Sequence, residues 1–295
     1  MREAAGRPAA AAGIDGVFSP SVAAADGRSV RAQLAGAAAR LAAAGCDTPR
    51  LDAELLLAHA LGAQRERLVL DAGIALGRSA AERFEVLVAR REAREPVAYI
   101  IGRKEFRRIS LLVDRRVLIP RPETELLVEV GLNLPACSRV VDVGTGSGAV
   151  ALALADERPD LDVWATDVSP DALAIAADNA QRLDLSVRLV RADLLDGVGE
   201  RFDAVLANLP YVADVAILPP EVVRYEPRSA LLAGSDGLDL LRRLGGMLSE
   251  VPMAALEVGF DQSDPVAALL ADVGFRSIER LRDLAGHERV IVGRR

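Results

Sequence analysis

The sequence predicts an α/β fold: a mostly parallel sheet flanked by helices and preceded by a small helical domain. Three observations carry this. Val140 to Gly148 reads VVDVGTGSG, a β-branched run through Asp142 followed by three alternating glycines, and AVALALA then continues with helical potential. That is a strand, a glycine turn and a helix. Strand-like and helix-like segments alternate after it, as they do where parallel strands are covered by helices. The chain closes on two strand-like runs, FRSIERLRD and HERVIVGR, whose short connection lets them pair antiparallel.

Taken in order, residues 1–27 are rich in Ala and Gly with scattered charge and are expected to form a disordered extension. Residues 28–95 carry three segments with apolar residues at three- and four-residue spacing, SVRAQLAGAAARLAAAG, PRLDAELLLAHALG and SAAERFEVLVARREARE. They predict a helical bundle whose role is packing or partner recognition, with Thr48 and Pro49 as cap and first turn of the second helix. Over 96–122 the runs VAYIIG, ISLLV and RRVLIP are β-prone and separated by charged turns, which predicts a β-hairpin linker rich in basic residues. From 123 to 295 the α/β domain is expected. It opens with a helix after IPRPETE, whose prolines hold the preceding residues extended and whose Glu123 or Thr124 can serve the first turn.

After the glycine turn, LDVWATD ends in Asp167, SPDALAIAADNAQRL is a helix capped by Ser169, VRLVRAD ends in Asp193, and FDAVLANLPYV is a fourth strand. GSDGLDLLRRLGGMLS and DPVAALLADVG read as helices on either side of the strand MAALEVG. In a parallel sheet the strand ends Asp142, Asp167, Asp193 and Asn208 all reach the carboxyl edge, where such folds bind ligands. The turn itself suits a nucleotide-like ligand, because glycines let it approach bare backbone beside the free N–H groups of a helix start. Two cofactor classes fit this far, since Gly144, Gly146 and Ala149 also satisfy the dinucleotide pattern with Asp167 placed to hold a ribose. The antiparallel finish favours the class I methyltransferase fold over the dinucleotide fold, and with it S-adenosylmethionine.

With 295 residues, 51% of them apolar, the chain can bury the cores of about two domains. A net charge of -7 argues against a protein that coats nucleic acid or an acidic membrane. No apolar run is long enough to span a bilayer, and the opening residues lack the core of a signal peptide, so a cytoplasmic protein is expected. Cys46 and Cys137 have no metal-ligand or redox spacing and are read as small buried hydrophobes in a reducing compartment; His59 and His287 are isolated, and no metal is expected.

Asn208-Leu209-Pro210-Tyr211 closes the fourth strand and is similar to the N-(P/L)-P-(Y/F) motif of methyltransferases that modify a planar, conjugated NH2 group. Such a nitrogen shares its lone pair with the adjacent π-system, so its hydrogens must be held. The Asn208 side-chain oxygen and the Pro210 carbonyl can each accept one N–H, while Tyr211 can lie against the flat group. Pro210 fixes its own φ and forces Leu209 to be extended, so the corner is set before any ligand arrives.

Together with DVGTGSG, LIPRPETE, PRLDAELLLAHALG and HERVIVGR, this motif makes the chain resemble the release-factor glutamine methyltransferases, the PrmC/HemK family, from about Arg28 to the C terminus. The resemblance implies methyl transfer from S-adenosylmethionine to the side-chain nitrogen of the glutamine in the Gly-Gly-Gln loop of class 1 peptide chain release factors. It implies a monomer that needs neither membrane nor nucleic acid. Carried onto matching positions, Gly144, Thr145, Gly146, Ser147 and Gly148 line the methionine part of the cofactor and Asp167 takes its ribose. Asp193 and Leu194 flank its adenine, and Asn208, Leu209, Pro210 and Tyr211 hold the glutamine, with Asn208 also against the cofactor. The chain departs from most relatives in having Leu209 in place of a second proline and Leu194 in place of an aromatic residue. An adenine-N6 methyltransferase acting on RNA or DNA is the first rival; a nicotinamide-dependent oxidoreductase and a non-catalytic binding module follow.

Overall fold

The computed structural model describes Phe18–Ser19 and residues 29–295; apart from that dipeptide, the extension expected over 1–27 lies outside the described residues. The chain divides into two compact units, one ending at Ile101 and the other spanning Gly102–Arg295.

In the first unit, strands β1 (Phe18–Ser19) and β2 (Ala75–Leu76) pair antiparallel. Helices α1 (Val30–Ala43), α2 (Pro49–Leu61), α3 (Arg67–Leu70), α4 (Arg78–Glu92) and α5 (Val97–Ile101) complete it. Leu34, Leu41, Leu56, Leu57, Phe84 and Val88 fill its core. Inside that core Arg91 Nε donates to Asp52 Oδ2 at 2.7 Å, an ion pair that is almost fully buried. Removing either partner would strand a charge, which is why the pair ties α2 to α4 firmly. Thr48 begins α2 as expected, but its hydroxyl donates to Asp52 Oδ1 at 2.7 Å instead of capping a backbone N–H. VAYIIG, read above as β-prone, is the helix α5. Tyr99 and Ile100 N–H groups return to the Pro96 carbonyl, and burial of Ile100 against the helical core overrides β-propensity. Cys46 is buried, whereas Cys137 is exposed in a turn with φ +61°, against the expectation that both would be buried.

The second unit opens with a hairpin of β3 (Arg103–Phe106) and β4 (Ile109–Leu112), so its first strand is RKEF and RRVLIP is a loop. Short turns at Pro122–Thr124 and Arg228–Ala230 accompany helices α6 (Glu125–Leu132), α7 (Ala149–Glu157), α8 (Pro170–Leu183), α9 (Pro220–Tyr225), α10 (Asp239–Gly245) and α11 (Ser263–Asp272). The helix expected over GSDGLDLLRRLGGMLS is thus confined to α10. Strands β5 (Arg139–Val143), β6 (Asp162–Asp167), β7 (Arg188–Arg191), β8 (Ala204–Ala207), β9 (Met253–Glu257), β10 (Ser277–Arg282) and β11 (Glu288–Arg294) form one sheet in the order β10-β11-β9-β8-β5-β6-β7. β5 to β9 run parallel, and β11 lies antiparallel to both β9 and β10.

Every residue of β8 and β9 is buried, as a strand covered on both faces requires. Alternation divides their side chains between two cores, with Leu206, Ala255 and Val292 on one face and Val205, Leu256 and Ile291 on the other. The chain enters the sheet at β5, winds outward through β6 to β7, then returns to β8 on the other side of β5. The strand order therefore reverses between β5 and β8, and a crevice opens there at the carboxyl ends.

Candidate active site

A cleft occupies that crevice. Asp142, Asp167, Asp193 and Asn208, from the ends of four successive parallel strands, all line it. So do Gly144, Thr145, Gly146, Ser147, Leu194, Leu209 and Pro210, while Leu118, Pro120, Thr124, Ser229 and Ala230 supply the facing wall. Gly148 and Tyr211 are not among the lining residues. Gly148 begins α7 in the left-handed conformation, at φ +84°, which by itself favours glycine there.

The glycine turn is held from beneath. Gly144 and Thr145 N–H groups donate to the Thr166 carbonyl at 2.9 Å, and the buried Asn179 amide donates to the Ser147 carbonyl at 3.0 Å. Asn179 also exchanges two hydrogen bonds with Leu112 of β4, at 2.6 and 3.1 Å, and so ties the hairpin to the turn. Asp142 is sealed under the turn, where Oδ2 accepts from Thr145 Oγ1 at 2.6 Å and from the Ala151 N–H at the start of α7. Burial pushes its carboxyl up to about 6.

Two features suit the turn to a ligand. Gly146 has open space where a Cβ would stand. Asp167 Oδ2 accepts from the Gly146 N–H and Oδ1 from the Ser169 N–H, both at 2.9 Å, which orients the carboxylate at the rim. Partial burial raises its pKa. Asp193 pairs with Arg243 at 2.8 Å, and Leu194 is turned inward at φ +57° with its carbonyl accepting from Thr166 Oγ1.

The Asn-Leu-Pro corner meets this turn directly. Gly144 sits at φ +75°, which favours glycine, and a Cβ there would lie 2.9 Å from Leu209 Cδ2 and 3.8 Å from the Asn208 carbonyl oxygen, so corner and turn are in contact. Asn208 Nδ2 donates to Thr124 Oγ1 at 2.9 Å. Thr124 therefore does not cap α6, as the sequence suggested; its hydroxyl serves the corner. The Tyr211 carbonyl accepts from Gln262 Nε2 at 2.9 Å, and the Val212 N–H donates to the Leu231 carbonyl at 2.9 Å. Burial and the nearby Glu257 push the Tyr211 phenol up to about 12.

Glu257 ends β9 beside this corner and was not singled out from sequence, although a polar residue closing an apolar strand is the same signal that marked its neighbours. It is 1% exposed, and its Oε2 has no hydrogen-bond partner. Burial pushes its carboxyl up to about 7, while Thr124, Arg289 and Tyr211 hold it lower and Glu123 raises it. Between the ordinary 4.5 and about 7 the folded protein binds a proton that the unfolded chain does not. Stability therefore falls as pH rises through that window, and a cost on the order of 3 kcal/mol is fully present above it. Glu257→Gln is expected to raise the unfolding free energy at about pH 8 by about 1–3 kcal/mol and to abolish the wild-type fall between 4.5 and about 7. Parallel denaturation curves for the two proteins across that range would refute it.

Among the described residues there is no group of three or more His, Cys, Asp or Glu placed to hold a metal ion, and no helix long and apolar enough to cross a membrane. The model of the methyltransferase small domain matches residues 122–222, and that of the PrmC N-terminal domain matches 33–102. The hMettl16 catalytic domain, solved with a MAT2A 3′UTR hairpin, has the same fold, with a TM-score of 0.52 and 17% identity over 76% of this chain and 84% of that one. A sheet with this order, a glycine turn at its switch point and this domain match define a class I S-adenosylmethionine-dependent methyltransferase. Within the class the likeness is closer. The release factor glutamine methyltransferase of Cereibacter sphaeroides is 42% identical over 88% of this chain and 96% of its own length. That of Moorella thermoacetica is 42% identical over 90% and 98%, and that of Xylella fastidiosa strain Temecula1 43% over 87% and 97%. The chain belongs to the release factor glutamine methyltransferase family.

Proposed function

We propose that this protein methylates the side-chain amide nitrogen of the glutamine in the Gly-Gly-Gln loop of class 1 peptide chain release factors, using S-adenosylmethionine, and does so in the cytoplasm. The observation that carries this is the contact between the Asn208 corner and Gly144: an amide-gripping corner and a cofactor turn open into one cleft. S-adenosylmethionine supplies an electrophilic methyl on a sulfonium centre. Gly144 to Ser147 would cradle its methionine part, the Asp167 carboxylate its ribose hydroxyls, and Asp193 and Leu194 its adenine. Asn208 Oδ1 and the Pro210 carbonyl each accept one N–H of the target amide and turn its nitrogen toward the methyl. The environment would then favour positive charge on nitrogen as the N–C bond forms and the methyl–sulfur bond breaks, its electron pair leaving with the neutral thioether, and the proton would pass to water during or after transfer. No strong base is required. The helical unit over 28–95 would recognise the release factor.

The test is mass spectrometry of a release factor after incubation with this protein and S-adenosylmethionine. A mass gain of one methyl group, mapped to the glutamine of the Gly-Gly-Gln peptide, is expected. An unmodified glutamine under conditions where isotope-labelled methyl enters RNA or DNA would overturn the proposal.

A further inference from the structure

An amide side chain has two nearly isosteric ends, and only one of them can do what the proposed function asks of Asn208. Oδ1 must face the target nitrogen as an acceptor; were Nδ2 there instead, two donors would oppose two donors. Nothing within Asn208 itself decides between these orientations. Its surroundings do.

Asn208 Nδ2 is engaged by Thr124 Oγ1 at 2.9 Å, which leaves Oδ1 as the atom available to a ligand in the cleft that both residues line. A threonine hydroxyl can accept or donate, however, and would tolerate the flipped amide by donating to Oδ1. What removes that freedom is Glu257. Parallel pairing of Ala207 with Leu256 sets Asn208 and Glu257 side by side at the ends of β8 and β9, and the Thr124 hydroxyl faces the Glu257 carboxylate. Thr124 is 3% exposed and Glu257 1%, so water does not compete. Above about pH 7 the Glu257 carboxyl is ionised and only accepts, and it is buried with an unfilled oxygen. In that state it claims the Thr124 proton, so the Thr124 oxygen can only accept from Asn208.

Resting on the function proposed above, we infer that Thr124 and Glu257 are positioning residues, a polar chain Glu257←Thr124←Asn208 that fixes which end of the Asn208 amide meets the substrate. The other groups facing Glu257 fit this assignment. The Tyr211 phenol is a second donor aimed at the same carboxylate, Arg289 from β11 favours its charge, and Glu123 alone opposes it. The sequence held one half of the chain, the Thr124 of IPRPETE, but offered only a helix cap as its role. A contact spanning 84 residues has no local signature.

The experiment compares wild type, Thr124→Val, Thr124→Ser, Glu257→Leu and the Val/Leu double variant, each assayed for methylation of a full-length release factor and for S-adenosylhomocysteine affinity by calorimetry. Valine keeps the shape of threonine and removes only the hydroxyl. Thr124→Val is expected to lower kcat about tenfold, the effect of one lost buried hydrogen bond, with cofactor affinity and the KM for release factor within about threefold. Thr124→Ser should restore kcat to within about threefold. Because the two residues act through one chain, the double variant should lose about as much as the worse single variant, not the product of the two losses. Unchanged kcat in Thr124→Val, or losses that multiply, would overturn the inference. If Glu257→Leu does not fold, the valine and serine variants decide alone. A wild-type protein that leaves release factor unmodified would instead overturn the function on which the inference rests.

Discussion

Replacing Asn208 by alanine is expected to lower kcat for methyl transfer to release factor by about 10²–10³-fold, while S-adenosylhomocysteine affinity stays within about threefold. The amide nitrogen of glutamine is so weak a nucleophile that orientation and charge stabilisation supply most of the rate. On the mechanism proposed above, Asn208 contributes one of the two acceptors that provide them. On the same mechanism the loss should not be total, because the Pro210 carbonyl would still restrain the second N–H, its direction set by the proline ring. Cofactor binding should survive because the cradle is built elsewhere. Its turn hangs from the Thr166 carbonyl and its carboxylate, Asp167, is fixed by the Gly146 and Ser169 N–H groups. The fold should survive too, since the side chain makes a single hydrogen bond, to Thr124, worth about 1 kcal/mol. Single-turnover methylation with saturating cofactor checks the rate directly. A variant transferring methyl groups within about threefold of wild type would mean that amide gripping by this side chain is not how the reaction is driven.

The parts of this site that could be read from sequence are those whose cause is local. A glycine turn is visible because backbone at positive φ excludes most side chains, and the NLPY corner because proline restricts two consecutive residues. The sheet was visible because strands buried on both faces read as unbroken apolar runs, as β8 and β9 do. What escaped is set by distant partners. RKEF has no alternation that marks a strand and becomes one by pairing with ISLL. VAYIIG has strong β-propensity and becomes a helix because Pro96 starts a turn whose apolar side the helical core buries. Asn179 looked like an ordinary polar position in an amphipathic helix, yet it is wholly buried and links the hairpin to the turn across 67 and 32 residues. Glu257 is the intermediate case, since its place at a strand end was legible and its burial was not.

Gly237→Ala is expected to be the most damaging single methyl group that can be added near the site without touching it. Gly237 sits at φ +75°, and a Cβ there would stand 2.1 Å from the Tyr211 carbonyl oxygen and 2.7 Å from Gln262 Nε2. Neither neighbour can yield cheaply. The carbonyl belongs to backbone that continues into Val212, whose N–H and C=O are both paired with the Leu231–Ala233 strip. Gln262 is equally constrained, its Nε2 donating to Tyr211 and Asp236 carbonyls at 2.9 and 3.1 Å while its Oε1 accepts from the Gly259 N–H. Overpacking and a left-handed alanine together should destabilise the fold by about 3 kcal/mol, a fall of about 10 °C in Tm. Gly146→Ala is the contrast: φ is +56° there, but nothing lies within 4 Å of the added carbon. Only the conformational term remains, about 1 kcal/mol, and the larger loss should appear in cofactor affinity. Thermal denaturation and calorimetry on the two variants would separate them. If Gly237→Ala melted with wild type and kept its kcat, the Tyr211 carbonyl would not be a rigid anchor, and the Asn-Leu-Pro corner that runs into it could not be held in advance of the substrate.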